Sequence, residues 1–284
     1  MSSPLTLVEC PRDAMQGWPR YIPTADKVRY LNALLRVGFD VLDFGSFVSA
    51  KAIPQLADTK DVLRQLALNE RTKLLAIVAN TRGAQEAAVY ENIQYIGFPF
   101  SISETFQQRN TNKSIAESLK EVEEIQTLCT QRGREMVVYI SMGFGNPYGD
   151  DYSAEVVLDW VKKLSDLGIQ TIAVSDTVGV AKPATISYIY QQLIPAFPNL
   201  HIGAHFHSDN ATWEEKIQAA YDNGCTRFDS ALKGIGGCPM AEDVLVGNIA
   251  TERLIDWCAQ KKIPLQLDMD AFQEAMIIAN EIFI

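Results

Sequence analysis

Short apolar or β-branched runs alternate with longer stretches of helical period along nearly the whole chain. Runs of the first kind lie at residues 5–9, 39–44, 73–79, 94–99, 135–142, 170–176, 201–207 and 226–232, and predict eight strands. Between them, residues 24–37, 60–67, 114–131, 154–167, 184–194 and 212–223 are amphipathic and predict helices. Thr24, ahead of Ala25-Asp26-Lys27, and Ser153, ahead of Ala154-Glu155, stand where N-caps belong. Successive strand centres are about 32 residues apart, close to the spacing in a (β/α)8 barrel of ~250 residues. No linker rich in Pro, Gly or Ser divides the chain. The pattern therefore predicts an α/β fold, a (β/α)8 TIM barrel with a C-terminal helical appendix from about residue 251. A doubly wound open sheet shares the alternation and stands second.

A barrel of this kind carries its reactive groups at the carboxyl ends of the strands and in the loops that follow. The unusual polar clusters of this chain fall there repeatedly. Cys10-Pro11-Arg12-Asp13-Ala14-Met15-Gln16 follows the first strand, and Asp43 ends the second, with Ser46-Phe47-Val48-Ser49 after it. Ser141, Asn146 and Tyr148 follow the fifth strand, Ser175-Asp176-Thr177 ends the sixth, and a glycine-rich run from Gly234 to Met240 follows the eighth. The seventh ends in His205-Phe206-His207, two of only three histidines in the chain. Residues two apart on a strand share a face, so both imidazoles point to one place. Two neutral nitrogen donors so placed suit a divalent cation; taken alone, a motif of this length better suits a pair of hydrogen-bonded rim histidines, unless acidic or amide ligands stand at matching strand ends.

Composition narrows the class. With 284 residues, 47% hydrophobic, the chain can bury a large core, and its net charge of -10 argues against nucleic-acid or acidic-membrane binding. No apolar run approaches the ~20 residues of a membrane span. Met1-Ser2-Ser3-Pro4 leads directly into a strand-like run, which predicts no signal or transit peptide. Five cysteines, at 10, 129, 225, 238 and 258, are odd in number and lack Cys-x-x-Cys spacing, as expected for free thiols in a reducing compartment. A cytoplasmic protein is expected.

With Pro11-Arg12-Asp13 and Gln16 after the first strand, His205 and His207 at the end of the seventh, Gly247-Asn248 beyond the eighth and Gly236-Gly237-Cys238-Pro239 between them, the sequence resembles the 3-hydroxy-3-methylglutaryl-CoA lyases. These belong to a wider group of metal-dependent lyase and synthase barrels related to isopropylmalate synthase. Arg-Asp and His-x-His mark the wide group; the Gly-Gly-Cys-Pro loop marks the lyases. Ser46 to Lys51 with Pro54-Gln55, Asn146-Pro147-Tyr148 and Asp176-Thr177-Val178-Gly179 also look like the lyase pattern, and the similarity runs from Leu7 to about Leu254. Four features depart from it. The Gly usual before Pro-Arg-Asp is missing, Met240 replaces a Tyr, the stretch 241–246 is about one residue longer than the common form, and Asp43 replaces a Glu.

The resemblance implies one catalytic domain over residues 1–284 that cleaves 3-hydroxy-3-methylglutaryl-CoA to acetyl-CoA and acetoacetate, in leucine breakdown and ketone-body formation. It implies Mg²⁺ or Mn²⁺ on Asp13, His205, His207 and Asn248. Arg12 would stabilise the enolate, Asp13 or His205 would take the hydroxyl proton, and Cys238 would return a proton from a loop that glycines 234, 236 and 237 allow to close. Gln16, Asp43, Asp176 and Thr177 would orient substrate or ligands, with Arg12 also touching substrate. Lys51, Arg82, Arg109 and Lys113 are candidates for the CoA phosphates, although solvated surface charge suits any one of them better. A salt bridge with Asp43 or Glu252 is the alternative use of Arg12. The apolar run 272–284 is suited to cover the barrel or to contact a second subunit in a homodimer. A condensing enzyme of the citramalate or isopropylmalate type, and a metal-binding sensor without catalysis, are the rival functions. The first commonly lacks the Gly-Gly-Cys-Pro loop and carries a regulatory region; the second needs neither Arg12 nor Cys238.

Overall fold

The computed structural model of the chain describes residues 5–237 and 246–284. Its centre is a closed parallel sheet of eight strands: β1 (Thr6–Glu9), β2 (Val41–Ser46), β3 (Lys73–Ile77), β4 (Ile93–Ser101), β5 (Glu135–Ser141), β6 (Thr171–Asp176), β7 (His201–Ser208) and β8 (Arg227–Ser230). Each strand pairs in parallel with its successor, and β8 returns to β1 with Val8 opposite Asp229. That closure makes a (β/α)8 barrel and removes the open-sheet alternative. Strands β2 and β6 are buried at every position, because one face fills the barrel and the other meets a helix.

The helices are α1 (Pro11–Gln16), α2 (Thr24–Val37), α3 (Thr59–Leu63), α4 (Thr81–Ala87), α5 (Glu104–Thr111), α6 (Ile115–Arg132), α7 (Ala154–Asp166), α8 (Pro183–Ala196), α9 (Trp213–Asp222), α10 (Thr251–Gln260) and α11 (Met269–Ile282). Ser114 and Glu117 form a reciprocal capping box at the start of α6, and Ser153 caps α7 as its position predicted. Thr24 does not cap α2. Pro23 takes that position, and the Thr24 hydroxyl donates to Asp58 at 2.7 Å. The helix expected over 60–67 stops at Leu63, because Asn32 of α2 draws the following chain sideways: its amide oxygen accepts from Ala67 N at 2.7 Å and its amide nitrogen donates to Gln65 O.

Beyond the eighth strand, β9 (Gly247–Asn248) pairs antiparallel with β7, setting Asn248 opposite His207. The C-terminal appendix is the pair α10 and α11. Helix α11 packs on α2, burying Phe272, Ile278 and Ile282, while Phe283 meets Trp18 and Tyr30 edge-on at 5.2 and 5.8 Å. Each such apolar side chain contributes roughly 1.5–3 kcal/mol on burial. The tail thus covers the barrel flank, one of the two uses its composition allowed. The four described cysteines, Cys10, Cys129, Cys225 and Cys258, are buried free thiols.

Candidate active site at the carboxyl mouth of the barrel

Helix α1 starts at once after β1, with Pro11 at its first turn, and this tight connection turns Arg12 and Asp13 into the barrel mouth. The Arg12 guanidinium is almost wholly buried, with four of its five N–H donors engaged. Its Nε and Nη2 donate to Asp43 Oδ2 at 2.9 and 2.6 Å, and its Nη1 donates to Asp13 Oδ1 at 2.9 Å and Gln16 Oε1 at 3.0 Å. The salt bridge with Asp43 therefore exists, but inside the mouth and not on its rim. Glu252 is elsewhere, accepting from Lys233 N. Burial lifts the Asp43 carboxyl to about 6 even though Arg12 opposes the rise. For Asp13, burial pushes the same way, but Arg12, His205 and His207 outweigh it and hold the carboxyl below its ordinary range.

The two imidazoles of β7 stand side by side, ring centres 5.2 Å apart. His207 Nδ1 lies 2.9 Å from Thr177 O, an acceptor only, so Nδ1 carries the proton and Nε2 a lone pair. That Nε2 is buried and has no hydrogen-bond partner. Burial and the neighbouring His205 lower the His207 pKa and keep the ring neutral. His205 Nδ1 lies 3.1 Å from Asp229 Oδ2; burial lowers its pKa, yet the bond to Asp229 and that residue's charge raise it overall. Asp13 completes the group, and donor atoms of Asp13, His205 and His207 lie within 4.8 Å of one another. From β9, Asn248 Nδ2 donates to Asp13 Oδ2 at 2.7 Å and Ile235 O at 2.9 Å.

One carboxylate, two imidazoles and an amide, with an orphaned lone pair on His207, fit a divalent cation. A second close group, Cys10 with His205 and Asp229, fits less well. Burial and the charge of Asp229 push the Cys10 thiol far up, and a protonated thiol is no ligand. Gly236 explains part of the glycine-rich run. Its φ is +110°, and a Cβ there would come within 2.4 Å of Asn248 Nδ2 and 2.9 Å of Asp13 Oδ2, so a bare backbone lies over the ligand pair.

These groups open on a cavity of about 360 Å³ whose polar wall includes Arg12, Asp13, Gln16, Thr177, His205 and His207. Helix α5 borders it with Phe106, Asn110 and Thr111. Other expected site residues stand behind the wall. Asp43 backs Arg12. Asp176 is buried with its carboxylate occupied, taking Ala181 N at 3.1 Å and Lys216 Nζ at 2.7 Å, so the structure does not bring it to the cavity. Thr177 works through its backbone on His207, while its hydroxyl accepts from Met142 N. Cys238, Pro239 and Met240, with residues 241–245, lie outside the described residues. Of the basic candidates, Arg82 and Lys113 pair with Glu86 and Glu121. Arg109 lies over the Tyr148 ring at 4.7 Å, and Lys51 is exposed beside lining residue Ala52.

Two supports were not expected. Asp229 backs His205 from β8, and Lys216 of α9 reaches beneath the site, where Nζ also donates to His207 O and Gly179 O at 3.0 Å. Removing the cation would strand buried Asp176 and free two carbonyls. Lys216→Met is expected to lose about 3–5 kcal/mol of stability, read from urea unfolding of the two proteins; a loss under about 1 kcal/mol would show the pair to be dispensable.

A closed (β/α)8 barrel with a carboxylate and two histidines at its carboxyl mouth defines the candidate site of this chain. The family model described as HMGL-like matches residues 7–278, and the chain belongs to that family. It is 33% identical over 93% of its length, and 88% of the relative's, to the hydroxymethylglutaryl-CoA lyase YngG of Bacillus subtilis. An (R)-citramalyl-CoA lyase of Chloroflexus aurantiacus is 29% identical over 94% of this chain and 87% of that one. The solved structure of an HMG-CoA lyase from Acinetobacter baumannii, in complex with coenzyme A and 3-methylmalate, superposes with a TM-score of 0.92 at 30% identity, covering 100% of this chain and 93% of that one.

Proposed function

We propose that this protein is a metal-dependent carbon–carbon lyase that cleaves 3-hydroxy-3-methylglutaryl-CoA to acetyl-CoA and acetoacetate, in leucine degradation and ketone-body formation. The observation that carries this is the Arg12 guanidinium beside the Asp13, His205 and His207 group on the wall of one cavity, in a chain of the HMGL-like family. Asp13, His205, His207 and Asn248 are the residues to hold Mg²⁺ or Mn²⁺ in the resting enzyme. The bound cation would supply Lewis acidity that lowers the pKa of the substrate's tertiary hydroxyl.

The chain's own residues do the rest. Both oxygens of Asp13 are engaged, Oδ1 by Arg12 and Gln16 and Oδ2 by Asn248, and its carboxyl is held low. Even so, with its Nδ1 on Asp229 His205 keeps one lone pair, on Nε2, which the cation would use, so Asp13, with two lone pairs on each of two oxygens, is the group to take the hydroxyl proton. As that oxygen becomes the ketone of acetoacetate, the bond between the hydroxyl-bearing carbon and the carbon next to the thioester breaks. Its electron pair becomes the thioester enolate. Arg12 faces the cavity with a fixed positive charge for that oxyanion, and Cys238 is the acid that protonates the carbon. Asp43 and Gln16 hold the guanidinium in place. Residues 1–284 act as one catalytic domain in this scheme, since α10 and α11 pack back onto the barrel side.

The test is to incubate the protein with Mg²⁺ and a panel of 3-hydroxyacyl-CoA thioesters and follow acetyl-CoA release. The 3-hydroxy-3-methylglutaryl thioester should be cleaved fastest. Citramalyl-CoA belongs in the panel because a relative of equal coverage is named for it, and faster release from it would replace the substrate while keeping the site. Condensation without cleavage would favour a synthase, and no turnover of any thioester would favour a sensor. Stripping the cation with chelator should abolish turnover, and Mg²⁺ or Mn²⁺ should restore it; full activity after rigorous stripping would sink the mechanism. The proposal extends to a cytoplasmic homodimer, supported by Ile277 and Ile284, apolar side chains that stay exposed beside the buried Phe272, Ile278, Ile282 and Phe283 of the C-terminal segment. Among the described residues no helix is long and apolar enough to cross a membrane.

A further inference from the structure

The end of β1 carries a buried carboxyl that the proposed chemistry does not use. Asp229 turns in to His205, and Ser230, one residue on, turns outward together with its register partner Glu9. Glu9 is wholly buried there, between the barrel wall and the segment that follows β8. Burial lifts its carboxyl to about 8; the hydrogen bonds from Thr251 and Leu232 oppose the rise, and the charge of Glu252 adds to it. A side chain needed at this place for packing alone would be apolar.

Its two oxygens join the two ends of one segment. Oε1 accepts from Leu232 N at 2.9 Å, just after β8, and Oε2 accepts from the hydroxyl of Thr251, the first residue of α10. Ser230 Oγ lies 2.9 Å from the same hydroxyl. Backbone bonds close the neck beside Glu9: Ala231 N donates to Ile249 O at 3.0 Å, and Thr251 N to Ala231 O at 3.1 Å. Gly234 and Gly247 meet there as bare backbone, since a Cβ on Gly247 would come within 2.2 Å of Gly234 O. From this neck Ile235 O and Asn248 reach towards Asp13, and Asn248 Nδ2 is held between Ile235 O and Asp13 Oδ2. With its nitrogen so occupied, the oxygen of that amide is the atom left to serve a cation. The setting of Asn248 thus depends on how Leu232 and Thr251 are seated, and both are seated on Glu9. We propose that Glu9 is a positioning residue for the cation site, fixing the neck from which Asn248 reaches the metal. This rests on Asn248 being a ligand, as in the proposed function. Supports one step behind a metal ligand commonly change affinity ~10–100-fold when removed.

The experiment is calorimetric titration of the whole protein with Mn²⁺, without thioester, in the parent and three variants. Glu9→Gln keeps an oxygen for Leu232 N and sets an amide donor against Thr251, whose own proton can turn to Ser230 Oγ. Glu9→Leu keeps the bulk and offers no acceptor. Thr251→Val keeps the shape of the threonine without its hydroxyl. Mn²⁺ affinity should stay within about threefold of the parent in Glu9→Gln and fall by about tenfold or more in Glu9→Leu. Thr251→Val, which loses one of the two bonds, should fall between them. A role in stability alone would lower the melting temperature and leave the Mn²⁺ affinity of the folded protein unchanged. Parental affinity in a folded Glu9→Leu protein would therefore overturn the proposal, as would a Glu9→Gln protein no better than Glu9→Leu. Should Glu9→Leu fail to fold, Thr251→Val decides, and parental affinity there overturns it. A parent that does not bind Mn²⁺ would remove the cation site and this proposal together, whereas the other adverse results leave that site standing.

Discussion

Arg12→Met is expected to lower kcat by a hundredfold or more while the barrel stays folded. A charged donor aimed at a developing oxyanion is worth ~3 kcal/mol or more in the transition state, and methionine replaces the length of arginine without its charge. The structure adds a complication and its remedy. Arg12 is the cation that Asp43 faces, so the single variant strands a buried carboxylate as well as removing the catalytic charge. Asp43 already titrates at about 6 and can take up a proton, which limits the damage. The double variant Arg12→Met/Asp43→Asn removes the unpaired charge altogether. It should recover stability over the single variant, measured by thermal unfolding, and recover no turnover. Near-parental rates in a folded double variant would reduce Arg12 to the salt bridge that the sequence offered as its other use.

The order of strands and helices was readable because a closed parallel sheet writes its burial into the chain as apolar runs at regular spacing. His205 and His207 were readable for a related reason, the two-residue period of a strand. Applied to the predicted strand 226–232, the same period puts Arg227 and Asp229 on one face, and would have found the support of His205. Lys216 left no such signal. In an amphipathic helix a lysine reads as solvated surface, and only the tertiary fold brings its Nζ under Asp176 and His207 O. The two-residue β9 is shorter than any periodic pattern, so the pairing of Asn248 with His207 depends on the closed barrel. Thr24 and the end of α3 fail on local competition, a proline at one cap and the Asn32 amide beside the other.

Cys238→Ser separates the lyase from its rivals. The enolate that leaves the broken bond needs a proton on carbon, and a thiol of ordinary pKa ≈ 8.5 gives one far more readily than an alcohol of the same length. Positioned acids of this kind contribute roughly 10²–10⁴-fold, so the serine variant should fold, bind metal as the parent does, and lose at least about a hundredfold in acetyl-CoA release. Alkylation should report the same residue. The other thiols are buried, and burial lifts those of Cys129, Cys225 and Cys258 to about 12 and that of Cys10 well above its ordinary value, which leaves them scarcely any thiolate. Inactivation should therefore follow one adduct per chain, on Cys238, and a bound substrate analogue should slow it. A synthase would condense with the serine in place, and a sensor would have no turnover to lose. If Cys238→Ser cleaves the thioester at the parental rate, the proton comes from another group, and the Gly-Gly-Cys-Pro loop has a role other than acid catalysis.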